Sequence, residues 1–220
     1  MWVMKSGFGA HAAKHQIAMV FPDTSPRDVD IPEATTDKVL GYGAGFYLDA
    51  TQEPWKKHFN MFTYVSKELP DLIQRYFHVH PTRQSITGNS MGGHGALLLA
   101  AKNPGKYKSA SAFSPVSSIS SLPWASDALT AYCGADGDWK SWDPCEILMN
   151  SGVRMPPTLV DTGSHDELWD LLSMDTLKKA FGSSKQEDYQ IRILDGYCHS
   201  LNMFVATFLG EHIEFHAKRL

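Results

Sequence analysis

The chain has 220 residues, 43% of them hydrophobic and 20% charged, a composition typical of a globular protein that buries one sizeable core. The 20 basic and 24 acidic residues give a net charge of −4 without clustering of either sign, which argues against a nucleic-acid or anionic-membrane surface. We therefore expect a single domain over residues 1–220 and a small polar or neutral partner.

Predicted strands and helices alternate along the chain. In chain order they are a helix over 6–15, a strand over 16–23, a helix over 55–77, a strand over 83–88, a helix over 91–103, a strand over 107–115, a strand over 156–163, a helix over 166–181, a strand over 189–196 and a helix over about 201–218. Residues 116–151 show no regular pattern and are expected to be irregular. Strands separated by helices indicate parallel βαβ units, hence an α/β sheet with ligands at the carboxyl ends of its strands.

The sequence Gly-Asn-Ser-Met-Gly at residues 88–92 lies where a predicted strand meets a predicted helix. It matches the G-x-S-x-G nucleophile elbow, in which glycines permit a sharp, strained turn that holds the serine hydroxyl out of the sheet. The helix that follows offers unpaired N–H groups to an oxyanion, and Met91 N–H is the expected donor. The motif predicts Ser90 as a nucleophile; the alternative is a chance match in an ordinary turn.

A serine nucleophile needs a base, and the base needs an acid that fixes its tautomer. The acid candidates after the strand at 156–163 are Asp161, Asp166, Glu167 and Asp170. Asp161 stands at the strand end and could simply cap the turn, whereas Asp166 lies further out in a loop that could reach a histidine. We select Asp166, with a solvated helix N-cap as the alternative.

His199 is the candidate base, because it directly follows the last predicted strand and Gly196 allows the chain to turn there. It completes the order serine, aspartate, histidine of an α/β-hydrolase. The sequence therefore predicts a catalytic triad of Ser90, Asp166 and His199.

Other polar residues are assigned no catalytic role. His212 and His216 have a spacing that could hold a metal on one helix face, but no third ligand or HExxH motif accompanies them, and we expect a solvated surface. The glycines in residues 41–45 do not join a strand to a helix and indicate a loop. We expect neither a metal nor another cofactor. His94 could line the site or pack in the core.

The three cysteines help to predict the cellular compartment of the protein. Cys133, Cys145 and Cys198 form no CxxC pair and are odd in number, which argues against a disulfide framework. Residues 1–15 contain no apolar run of signal-peptide length, and the longest apolar run, 96–101, is too short to span a bilayer. We expect a cytoplasmic protein without a membrane partner.

Several further blocks of sequence, spread along the chain, carry a family resemblance together with the elbow motif. They are FPDTSPR at 21–27, GYGAGFYLDATQEPW at 41–55, GNSMGGHGALLLAAKNPGKYKSASAFSP at 88–115, DGYCHS at 195–200 and FVATFLGEHIEFHAKRL at 204–220. On these blocks the chain resembles S-formylglutathione hydrolase, also called esterase D, over nearly its whole length. The resemblance implies an α/β-hydrolase that cleaves S-formylglutathione to glutathione and formate in formaldehyde detoxification, and that also hydrolyses simple esters. It places the family's catalytic motifs on Ser90, Asp166 and His199.

The chain also departs from the family pattern. Family members carry further strands, and a loop with a second oxyanion donor, ahead of the position matching Met1, so we expect an N-terminally truncated hydrolase in which the strand at 17–21 lacks an inner neighbour. Smaller departures are Lys38-Val39, Asn89, Cys198 and one extra residue after His199, and these bear on substrate fit.

Two other functions stay open at this point. One is a generic carboxylesterase. The other is a noncatalytic or weakly active remnant that acts as a binding or partner-stabilised protein, motivated by the expected loss of the oxyanion loop. The sequence also leaves a homodimer open.

Overall fold

A four-stranded parallel sheet lies at the centre of the computed structural model, which describes residues 6–31 and 39–220. The strands are β1 (Ile86–Asn89), β2 (Ala110–Phe113), β3 (Thr158–Gly163) and β4 (Tyr189–Leu194), paired in that order. All three pairings are parallel. The carboxyl ends of the strands therefore meet at one edge of the sheet, where the predicted site residues follow them. Met1 and Lys38 lie outside the described residues.

Helices connect the strands and cover the sheet. They are α1 (Phe8–Lys14), α2 (Met61–Thr63), α3 (Leu69–Tyr76), α4 (Met91–Lys102), α5 (Pro123–Cys133), α6 (Pro144–Asn150), α7 (Trp169–Leu172), α8 (Met174–Ser183) and α9 (Ala206–Ala217). A π-helical turn over Leu201–Val205 leads into α9. None of the helices in the described ranges is long and apolar enough to cross a membrane.

Side chains of β2 alternate between two apolar layers. Ala110 and Ala112 belong to a core that includes buried residues of α4, α5, α6 and α8. Phe113 belongs to a second core with Leu209 and Ile213 of α9. Burial on both faces is the pattern of a parallel sheet covered by helices. The predicted α/β architecture is confirmed.

The expected strand over residues 16–23 does not form. The amide of Ile17 bonds to the Ala12 carbonyl at the end of α1 (2.9 Å), not to a neighbouring strand. A strand is stable only where its backbone groups pair, and in the described part of the chain β1 ends the sheet. Val20 and Phe21 of this segment are consequently 44% and 48% exposed.

The predicted continuous helix over residues 55–77 is interrupted at two places. Near its start, the Met61 amide bonds to the Leu48 carbonyl (3.0 Å), so the chain pairs with another segment there before the helix resumes. Further on, Pro70 has no N–H for a helical hydrogen bond, and a π-helical turn over Tyr64–Glu68 precedes α3.

Residues 116–151 were expected to be irregular, and this expectation was wrong. They contain α5 and α6, each of which begins at a proline, Pro123 and Pro144. The Asp143 side chain caps α6 by accepting hydrogen bonds from two amides of its first turn, at 2.9 and 3.2 Å. Aspartate followed by proline is a typical helix start, so the sequence did carry a signal for α6.

The predicted helix over residues 166–181 is divided into α7 and α8. Ser173 separates them with a left-handed backbone (φ 53°), a conformation that no continuous right-handed helix contains. The helix also begins later than predicted, at Trp169, so Asp166 lies in the loop ahead of α7.

His212 and His216 of α9 are buried, so the expectation of a solvated helix surface was wrong. The two ring nitrogens of His216 are hydrogen-bonded to Ser109 (2.8 Å) and Ser111 (2.9 Å) of the β2 segment. Those of His212 are hydrogen-bonded to Ser111 (2.9 Å) and Asp161 (3.1 Å). Both histidines are therefore polar contacts between α9 and the sheet.

Arg192 of β4 completes these contacts with a two-pronged ion pair to the buried Asp161 carboxylate, at 2.6 and 2.5 Å. We call the set the sheet–helix network; it consists of Ser109, Ser111, Asp161, Arg192, His212 and His216. Burial opposes ionisation of Asp161, but hydrogen bonds from His212 and Arg192 outweigh it and hold the pKa of that carboxyl below its ordinary value. The network thus keeps an ionised carboxylate inside the fold.

The burial of His216 predicts acid sensitivity of the fold. Burial lowers the pKa of His216 to about 3, below its ordinary value of 6.5, so the unfolded chain binds the proton more tightly. Stability from this residue is therefore complete above pH 6.5 and is lost as the pH falls towards 3. Between pH 7 and 5 the loss is about 2 kcal/mol.

Urea unfolding at pH 7, 6 and 5 checks this prediction. His216→Asn should lower the stability at pH 7 yet lose less stability than wild type on acidification. The exposed His58→Asn should keep the wild-type dependence. An unchanged slope in His216→Asn would contradict the assignment.

Candidate active site

Ser90 occupies the junction between β1 and α4 in a strained backbone conformation, with φ 55° and ψ −118°. Its amide donates a hydrogen bond to the Phe113 carbonyl at the end of β2 (2.8 Å). Its carbonyl accepts hydrogen bonds from the amides of His94 (3.0 Å) and Val116 (3.3 Å). A non-glycine residue persists in such a conformation only where its surroundings enforce it, and such residues cluster at active sites.

Gly88 and Gly92 meet backbone to backbone beneath this turn. A Cβ atom on Gly88 would lie 2.0 Å from the Gly92 carbonyl oxygen, a distance that real atoms do not allow. Gly88 is therefore required by its contact with the Gly92 backbone, whereas a Cβ atom on Gly92 would meet only the Tyr47 hydroxyl, at 3.7 Å. The predicted strand–turn–helix setting of the motif is confirmed.

The first turn of α4 supplies the expected oxyanion donor. Met91 is the first residue of that helix, so its N–H has no carbonyl four residues earlier within the helix. This amide directly follows Ser90 and lies at the positive end of the helix dipole. The geometry is compatible with the donor role predicted for Met91, and the role itself stays a prediction.

Asp166 and His199 lie in hydrogen-bond contact. The ring Nδ1 of His199 is 2.9 and 3.1 Å from the two carboxylate oxygens of Asp166. The Leu168 amide donates a further bond to Asp166 (2.9 Å). Burial of Asp166 opposes its ionisation, but the hydrogen bonds from His199 and Leu168 outweigh it and hold the pKa of Asp166 below its ordinary value. An ionised acid that orients an imidazole is what a serine hydrolase requires.

Asp161 has a different role from Asp166. Its side chain belongs to the sheet–helix network, and its partners are Arg192 and His212. It stands within β3, not in a turn, so the alternative that it caps the turn was wrong. Asp170 is exposed at the start of α7 and contacts neither histidine nor arginine among the described residues.

Ser90 is brought to the same edge of the sheet as the Asp166–His199 pair, because β1, β3 and β4 are parallel. In the described part of the chain the Ser90 hydroxyl makes no hydrogen bond with His199. Contacts of this kind often tighten only when substrate binds. The structure thus shows the contact between Asp166 and His199 directly, while their roles as acid and base and their engagement with Ser90 stay predictions.

His94 packs in the interior and does not line the site. Its side chain is fully buried in α4, and burial lowers its pKa to about 4, so it is neutral near pH 7. Of the two readings of His94 left open by the sequence, the packing one is correct. The described ranges contain no group of three or more His, Cys, Asp and Glu side chains placed to hold a metal.

Tyr47 is a neighbour of the elbow that the sequence analysis missed. A Cβ atom on Gly95 would lie 2.4 Å from the Tyr47 ring, so that ring packs directly on the backbone of α4. Phe46 and Tyr47 both have left-handed backbones, with φ 49° and 55°. Consecutive non-glycine residues in this region are rare, and no sequence pattern indicated them. The block at 41–55 therefore supports the elbow and is not a free loop.

A serine on a strained turn between strand and helix, followed by an aspartate and a histidine on the loops after later parallel strands, is the arrangement of the α/β-hydrolases. The model of the Esterase family matches residues 1–215. The solved structure of an S-formylglutathione hydrolase from Agrobacterium tumefaciens is 42% identical, with a TM-score of 0.91, over 98% of this chain and 78% of that one. The chain belongs to the S-formylglutathione hydrolase family of esterases and is a hydrolase.

More distant structures share the fold. An S-formylglutathione hydrolase (FrmB) from Staphylococcus aureus is 18% identical, with a TM-score of 0.67, over 97% of this chain and 77% of that one. A fluorophosphonate-binding serine hydrolase, FphF, from the same organism is 19% identical, with a TM-score of 0.69, over the same two shares. At these identities the likeness concerns the fold, and it confirms the predicted α/β-hydrolase architecture.

Gly88→Ala should abolish the elbow. The added methyl group meets the Gly92 carbonyl at 2.0 Å, so the turn must open at a cost of more than about 3 kcal/mol. We expect loss of folded protein or, in any folded fraction, loss of esterase activity. Gly182→Ala is the matched control, because nothing lies within 4 Å of its Cβ position at the end of α8 and its stability should not fall. A stable and active Gly88→Ala enzyme would contradict this account.

Asp161→Asn and Asp166→Asn should separate stability from activity. Asp161→Asn removes the buried negative charge that pairs with Arg192 and should cost about 2–4 kcal/mol in urea unfolding. Asp166→Asn should leave the fold nearly intact but lower kcat about 10⁴-fold, because it disturbs the tautomer of His199. If Asp161→Asn is folded and is the more damaging to kcat, Asp166 is not the acid.

Proposed function

We propose that the chain hydrolyses S-formylglutathione to glutathione and formate, with Ser90, His199 and Asp166 as its catalytic residues. The observation that carries the proposal is the 42% identity with the Agrobacterium tumefaciens S-formylglutathione hydrolase over 98% of the chain. The strained Ser90 turn and the Asp166–His199 contact support the residue roles. Simple esters are a second class of substrate for the same site.

The reaction begins with proton transfer from the Ser90 hydroxyl to Nε2 of His199. The serine oxygen attacks the formyl carbonyl carbon, and Met91 N–H donates a hydrogen bond to the resulting oxyanion. The carbon–sulfur bond then breaks, and His199 returns the proton to the departing glutathione sulfur. A formyl ester remains on Ser90.

Water completes the cycle. His199 takes a proton from the water as its oxygen attacks the formyl ester, and returns the proton to Ser90 when formate leaves. The ionised Asp166 accepts the hydrogen bond from Nδ1 and stabilises the imidazolium formed in both halves of the reaction. A thiol, with an ordinary pKa near ~8.5, departs with less acid assistance than an alcohol, so this site suits thioesters.

The thiols of the chain fit a cytoplasmic address, which belongs to the same proposal. Cys133, Cys145 and Cys198 are all free. Burial raises the pKa of Cys133 to about 11 and raises that of Cys145 further, so both thiols stay protonated and unreactive. The partner is a small molecule, and residues 1–220 form a single domain in this proposal.

Turnover and active-site labelling test the function together. The wild-type chain should turn over S-formylglutathione, hydrolyse p-nitrophenyl acetate more slowly and react with a fluorophosphonate probe. Ser90→Ala should lose the labelling and all but the background rate, whereas the exposed control Ser151→Ala should resemble wild type.

The outcomes distinguish the competing functions. Labelling and ester hydrolysis without S-formylglutathione turnover would favour a generic carboxylesterase. A folded wild-type chain that neither labels nor turns over would favour the noncatalytic alternative and contradict the proposal.

A further inference from the structure

The loop after β3 and the loop after β4 are joined along their backbones. The Ser164 amide donates to the Leu194 carbonyl (2.9 Å), and the His165 amide donates to the Tyr197 carbonyl (2.9 Å). A Cβ atom on Gly163 would lie 2.1 Å from that Tyr197 oxygen, so the two loops lie as close as backbones can. The acid and the base of the proposed triad therefore stand on a shared support.

Side chains continue this ladder of hydrogen bonds towards the site. The Ser164 hydroxyl donates to Asp195 (3.0 Å) and accepts from the Gly196 amide (3.0 Å). The hydrogen bond nearest the site is made by Glu167, whose Oε2 accepts from the backbone amide of His199 (2.9 Å). The proposed catalytic steps do not involve this bond.

Two adjacent carboxylates thus hold a single histidine at two points. Asp166 holds the ring through Nδ1, and Glu167 holds the backbone through the amide. The hydrogen bond at Nδ1 alone would let the ring rotate about that bond whenever the loop moves, because the Cα atom of His199 moves with the loop. With the amide fixed as well, the direction in which Nε2 points is determined.

We propose that Glu167 is a positioning residue that holds the backbone of His199, so that its imidazole is directed at Ser90. The inference rests on the proposed function, since it assigns His199 as the base. The hydrogen bond from the His199 amide lowers the pKa of Glu167, which is consistent with a carboxylate that accepts this bond near neutral pH.

The acceptor, not the charge, is the essential property of Glu167. Its side chain is exposed, so water and salt screen its charge. A glutamine in its place keeps a carbonyl oxygen of similar reach that can accept from the same amide, whereas alanine keeps nothing. The two substitutions therefore separate positioning from electrostatics.

The experiment compares wild type, Glu167→Ala, Glu167→Gln and the exposed control Asp170→Ala in two measurements. The first is hydrogen exchange of the His199 amide by NMR without substrate. The second is kcat and KM for p-nitrophenyl acetate. Glu167→Ala should exchange the amide about tenfold faster and lower kcat about tenfold with KM within twofold of wild type. Glu167→Gln should restore both, and Asp170→Ala should change neither.

Each outcome decides the inference. Unchanged exchange and kcat in Glu167→Ala would overturn it, as would a Glu167→Gln variant as impaired as the alanine variant. A global melting temperature that falls along with kcat in Glu167→Ala would assign the residue to stability and overturn positioning. If wild type shows no turnover at all, the proposed function fails, while faster exchange in the alanine variant and recovery in the glutamine variant would still support the hold on His199.

Discussion

The backbone of Gly92 leaves no room for a side chain at Gly88, and the placement of Ser90, the proposed nucleophile, depends on that contact. It lets α4 begin at Met91, immediately after β1 ends at Asn89, with only Ser90 between them. The single connecting residue must absorb the whole change of direction, which is why its backbone is strained. The Phe113 carbonyl of β2 holds its amide, so the central strand and the elbow are built as one unit.

Much of this arrangement could be predicted because its signals are local. Turn residues bound the short segments that form strands, and their alternation with helices indicates parallel pairing. Asp166 and His199 could be selected because both follow strands at the same edge of the sheet, and the structure places their side chains in hydrogen-bond contact. Asp166 is preferred over Asp161 because a position in the loop lets its side chain extend to a histidine.

The rest could not be predicted because its causes are distant in sequence. His212 and His216 are polar residues on a helix, and only Ser109, Ser111 and Asp161, about 50 to 100 positions away, make their burial favourable. The segment at 16–23 has the composition of a strand but finds no strand to pair with among the described residues. The local secondary-structure propensity of a segment indicates which structure it can form, but hydrogen-bonding partners elsewhere in the chain decide which structure it does form.

The sheet–helix network also has a direction. The ionised Asp161 can only accept, so Nε2 of His212 carries the ring proton, and burial, which lowers the pKa of His212, leaves its Nδ1 bare. Ser111 has a single hydroxyl hydrogen, for which Thr87 (2.8 Å) and the bare Nδ1 of His212 (2.9 Å) compete, and its oxygen also lies 2.9 Å from Nε2 of His216. The Asp161 carboxylate therefore sets the tautomer of the buried His212 imidazole, which neutron diffraction would display as a deuteron on Nε2.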